Sequence, residues 1–283
     1  NTAGDSLQSG GNYNVLVGHA AGTAITTGDN NVALGYRALY TEDTGNRSVA
    51  IGDFALTVQN NADSNYNTAV GYAAGTAITT GVQNTLIGGT SGDALTDADF
   101  NVAIGYNALG GDTLGNRSVA IGYETLKAQN FTSATNSNNT AVGFHAGNDV
   151  TTGTNNTLIG ANAADKTTTG TNNVAVGSQS LSANTTGAQN TASGVRALGG
   201  NTTGVDNSAV GYEAMRVNTT GSYNAAFGRE ALEVNTTASN NSAIGYRALK
   251  ANTSGTQNTA VGSGALDANT TASNCSAFGY NAL

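Results

Sequence analysis

The stretch Asn173-Val-Ala-Val-Gly-Ser-Gln-Ser-Leu-Ser-Ala-Asn-Thr-Thr-Gly-Ala-Gln189 runs directly into Asn190-Thr-Ala-Ser-Gly-Val-Arg-Ala-Leu-Gly-Gly-Asn-Thr-Thr-Gly-Val-Asp206, and the two align position for position. Working outward from the Gly that closes Asn-x-Ala-Val-Gly, the anchor recurs at Gly18, Gly35, Gly52, Gly71, Gly88, Gly105, Gly122, Gly143, Gly160, Gly177, Gly194, Gly211, Gly228, Gly245, Gly262 and Gly279. The step is 17 residues, except 19 between Gly52 and Gly71 and 21 between Gly122 and Gly143. A fixed period of this length is the mark of a stacked repeat fold. Dense Gly and β-branched residues are poor helix formers, and no 3.6-residue apolar period survives. The expectation is therefore an all-β chain: a parallel β-solenoid of about sixteen 17-residue coils, forming one repeat domain over 1–283. Residues 1–172 make its irregular half, with two insertions, and 173–283 its strictly regular half. At about 4.8 Å per coil such a rod would be on the order of 75 Å long.

Positions within a coil are numbered here from its Asn. Position four reads Val17, Leu34, Ile51, Val70, Ile87, Ile104, Ile121, Val142, Ile159, Val176, Ser193, Val210, Phe227, Ile244, Val261 and Phe278. Only Ser193 is polar, so this column is read as the core. Position two, mostly Val or Thr, shares its face because strand side chains alternate. The opposite face carries Asn, Ala and Gly at positions one, three and five. The Asn column, broken by Ser48, Ser118 and Cys275, is expected to form amide ladders, and the small residues would let another chain approach closely.

A second apolar patch comes from Ala-Leu at positions eight and nine. Where Gly22, Gly75, Gly92 and Gly147 replace that Leu, Ile25, Ile78, Leu95 and Val150 follow three places later, as if filling the same space. Asn-Thr-Thr-Gly at positions twelve to fifteen reads as the turn, with Asn and Gly tolerating positive φ. Asn46-Arg-Ser-Val-Ala-Ile-Gly52 recurs 70 residues later at Asn116 to Gly122, and each copy is followed by one of the two insertions.

Composition agrees with a ladder-bound backbone. Among 283 residues there are 39 Gly and no Pro, and 10% are charged against roughly 25% in an average globular protein. Proline would remove a ladder donor, and like charges stacked at strand spacing repel. The net charge of −8 and scattered Lys and Arg argue against a nucleic-acid partner. No apolar run approaches the 18 or more residues of a membrane span. The chain opens on Asn1 without a Met and is read as a processed protein or a fragment.

No catalytic constellation emerges, and no cofactor is implied. The two histidines, His19 and His145, lie seven coils apart, too far to share a proton or a metal. Asp93, Asp97 and Asp99 offer hard oxygens that could suit calcium but lack a standard loop spacing. Cys275 stands in the Asn column, where a small buried thiol fits, and sequons at Asn184, Asn201, Asn218, Asn235, Asn252 and Asn269 follow from the turn consensus. Column six carries aromatics from Tyr36 to Tyr280, read as packing at a coil edge. The insertions are the better recognition candidates, because loops on a rigid scaffold usually carry binding; Val58, Asn60, Asp63, Tyr66, Asn130, Phe131 and Asn136 are the candidate ligand contacts.

The Arg-Ser-Val-Ala-Ile-Gly runs at 47–52 and 117–122, with their variants in nearly every other coil, resemble the head repeats of YadA-like trimeric autotransporter adhesins. Similar repeats occur in bacteriophage tail fibres and related bacterial trimeric fibres. The resemblance covers essentially the whole chain, although these coils are longer than the family's usual repeat. It implies a left-handed β-roll, a parallel homotrimer, and an extracellular place on a cell or virion surface where the fibre meets a glycan or protein. A non-catalytic fibre or adhesin segment is thus the expected function. A pure tail-fibre spacer is the alternative, and a monomeric ice-binding solenoid a weaker one because adjacent Thr residues point to opposite faces.

Overall fold

The computed structural model describes residues 2–62 and 64–283. It divides into two compact units, Asn1–Asn139 and Thr140–Leu283. The first holds β1 (Val15–Val17), β2 (Val32–Leu34), β3 (Val49–Ile51), β4 (Thr68–Val70), β5 (Thr85–Ile87), β6 (Val102–Ile104), β7 (Gly115–Asn116), β8 (Val119–Ile121) and β9 (Thr135–Asn136). The second holds β10 (Thr140–Val142), β11 (Thr157–Ile159), β12 (Val174–Val176), β13 (Thr191–Ser193), β14 (Ser208–Val210), β15 (Ala225–Phe227), β16 (Ser242–Ile244), β17 (Thr259–Val261) and β18 (Ser276–Phe278).

Both units are parallel β-solenoids. Each coil contributes one three-residue strand, and the remainder is turns; no helix occurs among the described residues. The register follows the repeat: Val15 pairs with Val32 and Val32 with Val49, while Thr191 pairs with Ser208 and Ser208 with Ala225. β7 and β9 form a separate parallel pair that closes the second insertion.

The alternation is as expected, but its two faces are exchanged. In every three-residue strand but β1 the middle residue is buried, as in Ala33, Ala103 and Ala243 at 0% exposure. Position four points outward, with Val17 53%, Leu34 43% and Ile244 47% exposed. The column read as core is therefore the outer surface of the sheet: Val17, Leu34, Ile87, Ile159, Val176, Val210, Phe227, Ile244 and Phe278 are exposed, and Ile51, Val70, Ile104, Ile121, Val142 and Val261 half-buried.

The reason is the narrow interior. A Cβ built on Gly22 would fall 2.7 Å from Leu16 Cδ2 and 2.9 Å from Ile25 Cδ1, so positions three, nine and twelve converge on one small volume. A coil with Leu at position nine has room only for Ala at position three. Where Leu16 or Leu86 occupies position three, Gly22 or Gly92 stands at nine.

Asn lines this interior because its amide is satisfied there. Asn190 donates from Nδ2 to Gly204 O at 2.8 Å, and its Oδ1 accepts the Asn207 N–H at 3.1 Å. A second ladder, at position twelve, runs through the segment read as turn: Asn201 donates to Asn184 Oδ1 and Asn218 to Asn201 Oδ1, both at 2.9 Å. Five of the sequon asparagines, Asn184, Asn201, Asn218, Asn235 and Asn252, are fully buried and beyond the reach of glycosylation in the fold.

Positive φ does not lie in Asn-Thr-Thr-Gly. It lies at positions five, seven, nine and seventeen, and non-Gly residues accept it, as in Leu181 (φ 51) and Arg196 (φ 58). Position five alone requires Gly: at Gly228 (φ 141) an added Cβ would sit 2.5 Å from Gly245 O of the next coil.

Candidate functional site

Two surfaces stand out from the uniform coil. The first is the outer face of the sheet. Because neighbouring strands are in register, position four stacks as a continuous apolar stripe, Val17 over Leu34 over Ile51 in the first unit and Phe227 over Ile244 over Val261 in the second. Position two adds Val15, Val32, Val49, Val102, Val119 and Val174 beside it. Aromatics edge this stripe. Tyr36 stacks on His19 at 5.5 Å between ring centroids and meets Phe54 edge-on at 5.2 Å; Tyr106 stacks on Tyr123 at 5.6 Å. These contacts join successive coils, yet Tyr72, Tyr106 and Phe144 remain more than half exposed.

The second surface is the pair of insertions, both in the first unit. Each is closed from beneath by a buried carboxylate at position twelve that sequence reading missed. Glu42 Oε1 accepts the Gly45 N–H at 2.8 Å, and Oε2 accepts Gln59 Nε2 at 2.9 Å and Asn65 Nδ2 at 3.0 Å. Gln59 also donates to Ser48 Oγ at 2.8 Å and accepts from Asn67 Nδ2 at 2.8 Å. Seventy residues on, Asp112 accepts the Gly115 N–H at 3.0 Å and Gln129 Nε2 at 2.5 Å, and Gln129 donates to Ser118 Oγ at 2.9 Å. Ser118 meets Ser137 Oγ at 2.5 Å, and Gln129 accepts from Asn139 at 2.8 Å. Burial raises the Glu42 pKa, against the donors that favour its ionised form. In both clusters Ser stands in place of Asn at position one, and Gln at position twelve of the same coil donates to its hydroxyl. The signal lay in the sequence as an acid, a Ser and a Gln, repeated at the same offsets.

The candidate contacts therefore divide. Val58, Asn60, Tyr66, Asn130 and Asn136 are exposed, with Asn130 accepting Thr113 Oγ1 at 2.9 Å and Arg47 lying over the Tyr66 ring at 5.5 Å. Phe131 is 6% exposed and belongs to the core of the closure, so it is not available as a ligand contact. Asp63 lies outside the described residues.

The three aspartates weighed for calcium are not brought together. Asp97 accepts the Thr80 hydroxyl at 2.5 Å and Asp99 the Val82 N–H at 2.7 Å, while burial raises the Asp93 pKa. Among the described residues no three His, Cys, Asp or Glu side chains are grouped to hold a metal, and no helix is long and apolar enough to cross a membrane. Cys275 is half-buried, its N–H donating to Asn258 Oδ1 at 2.9 Å.

No family model matches the chain, and no match was found among curated proteins or solved structures.

Proposed function

We propose that the chain is a non-catalytic segment of an extracellular trimeric fibre, three parallel copies packing through the outer face of the sheet, and that it mediates attachment to a cell or other surface. The observation that carries this reading is the stripe of Val, Leu, Ile and Phe at position four, unbroken in type except at Ser193 and left exposed or half-buried along each unit. Contiguous exposed apolar surface of this kind is a partner-binding surface in a soluble protein. A face that repeats every coil fits best a partner that repeats at the same spacing, and a parallel copy of the same chain does so. The small Asn/Ala face, expected from sequence to meet the other chains, is inside the coil and drops out of this role. The likeness of the repeats to those of trimeric adhesins and tail fibres supports the same arrangement, in which the partner at the fibre surface is a glycan or a protein.

The ice-binding alternative loses one of its two Thr columns, since Thr185, Thr202 and Thr219 donate their hydroxyls to the carbonyls of the next coil at 3.0 Å. The deciding measurement is the native mass by light scattering: three times 28.1 kDa supports the proposal, and a monomer with intact β circular dichroism refutes it.

A further inference from the structure

The second unit carries a polar groove that runs across four successive coils on a side of the coil away from the sheet. It consists of two adjoining hollows of about 290 and 320 Å³ that share Gln179 and Ser182. At one end Arg196 and Arg216 stand over a floor made by Gly199 and Gly200. Those two glycines stand where the next two coils carry the bulkier pairs Arg216-Val217 and Glu233-Val234. At the other end stand Asp165 and Lys166.

Three features define what fits. The side chains that line it are polar or charged except at Gly199, Gly200 and Ala183, unlike the mostly apolar pockets that take most small molecules. The arginines lie above their acid partners: Arg196 is 52% exposed over Glu213 at 15%, and Arg216 39% over Glu233 at 11%. A ligand arriving from solvent meets the guanidinium groups first. Arg196 spends two donors, on Gln179 Oε1 at 3.0 Å and Glu213 at 3.4 Å, so others of its five N–H groups remain for a planar anion. Finally, Asp165 lines the far end of the groove and brings a carboxylate, an acceptor suited to a hydroxyl.

We infer that this groove binds a short acidic oligosaccharide, with a sugar carboxylate on Arg196 and Arg216 and sugar hydroxyls reaching Gln179 and Asp165. The inference deepens the attachment reading by naming a ligand class, and it places recognition on coils of the second unit, not at the insertions. Three coil steps span about 14 Å, a length that accommodates more than one sugar.

The test is calorimetric titration of the intact chain with tetragalacturonate and, separately, with the neutral maltotetraose. Tetragalacturonate should bind at least about tenfold tighter than maltotetraose, and Arg196→Ala and Arg216→Ala should each weaken it by about tenfold or more. Ser182→Glu, which adds a carboxylate to the groove while keeping every ion pair, should abolish binding without altering circular dichroism. Arg37→Ala, in the first unit, should leave binding unchanged. Failure of the parent to bind tetragalacturonate, equal binding of both sugars, or parental affinity in Ser182→Glu would overturn the inference. Light scattering on the same samples separates the two readings, because a trimer that ignores tetragalacturonate removes the groove alone, and a monomer that binds it through Arg196 removes the fibre alone.

Discussion

Gln59 Nε2 donates to Glu42 Oε2 at 2.9 Å across 17 residues of sequence and one coil of structure, and both side chains are fully buried. A buried carboxylate is tolerated only where donors surround it, and here Gly45, Gln59 and Asn65 do so. The pair thus closes the coil in which the chain runs two residues long.

Glu42 and Gln59 should behave as one unit. Glu42→Leu, which installs the kind of side chain found at Ile25 and Ile78, takes the acceptor from three donors and should cost about 2 to 4 kcal/mol in urea unfolding. Gln59→Leu should cost a similar amount, and the double variant less than the sum by about 1 to 3 kcal/mol. Strict additivity would show that the hydrogen bond does not couple them.

At the second insertion, burial and exposure predict opposite outcomes for adjacent residues. Phe131→Ala should destabilise by about 3 to 5 kcal/mol, because it empties a packed site. Asn130→Ala, losing one exposed bond to Thr113, should stay within about 1 kcal/mol. Similar losses for both would mean that the closure is held by the loop backbone and not by Phe131.

The repeat made the coil length, the parallel stacking and the sites of insertion readable, because a period of 17 leaves little else for the chain to do. Which face turned inward was not readable from alternation. Both faces are apolar, and the rule that apolar residues are buried runs only one way. Ala103 and Ile104 could each have been core; the decision came from Leu109 and its equivalents at position nine, whose bulk leaves room only for Ala opposite. The Asn ladder at position one was legible. Its twin at position twelve was not, since Asn-Thr-Thr-Gly carries the chemistry of a turn. Glu42 and Asp112 were hidden for a different reason: an acid in a polar repeat reads as solvated until the burial of its neighbours is known.

Acid titration should separate two carboxylates of opposite behaviour. Hydrogen bonds from Lys250 and Arg247 pull the Glu230 pKa down to about 2 from 4.5. Its contribution is present above pH 4.5 and is lost as pH falls toward 2, so the melting-temperature gap between the parent and Glu230→Gln should narrow over that range. Burial raises the Glu42 pKa, so its neutral form is the one the fold favours, and its contribution is lost as pH rises above 4.5. The advantage of the parent over Glu42→Gln should therefore shrink with rising pH. A Glu230 gap that does not change between pH 6 and pH 2.5 would show that these ion pairs are too solvated to matter.

The exchange of faces is best tested on two adjacent residues of β6. Ala103 is fully buried and Ile104 half-buried on the outer side. Ala103→Asp puts a charge into a space shared with position nine, where neither water nor a counter-ion can reach it, and the first unit should fail to fold. Ile104→Asp places the same charge at the outer surface. A free chain solvates it, so circular dichroism should match the parent. In an assembly packed through that face the charge would be buried opposite its own copies, and like charges held together without partners oppose association. Ile104→Asp should thus sediment as a folded monomer under conditions where the parent is a trimer. An Ile104→Asp protein that is unfolded would return position four to the core. One that is folded and still trimeric would place the contact between copies on another side of the coil.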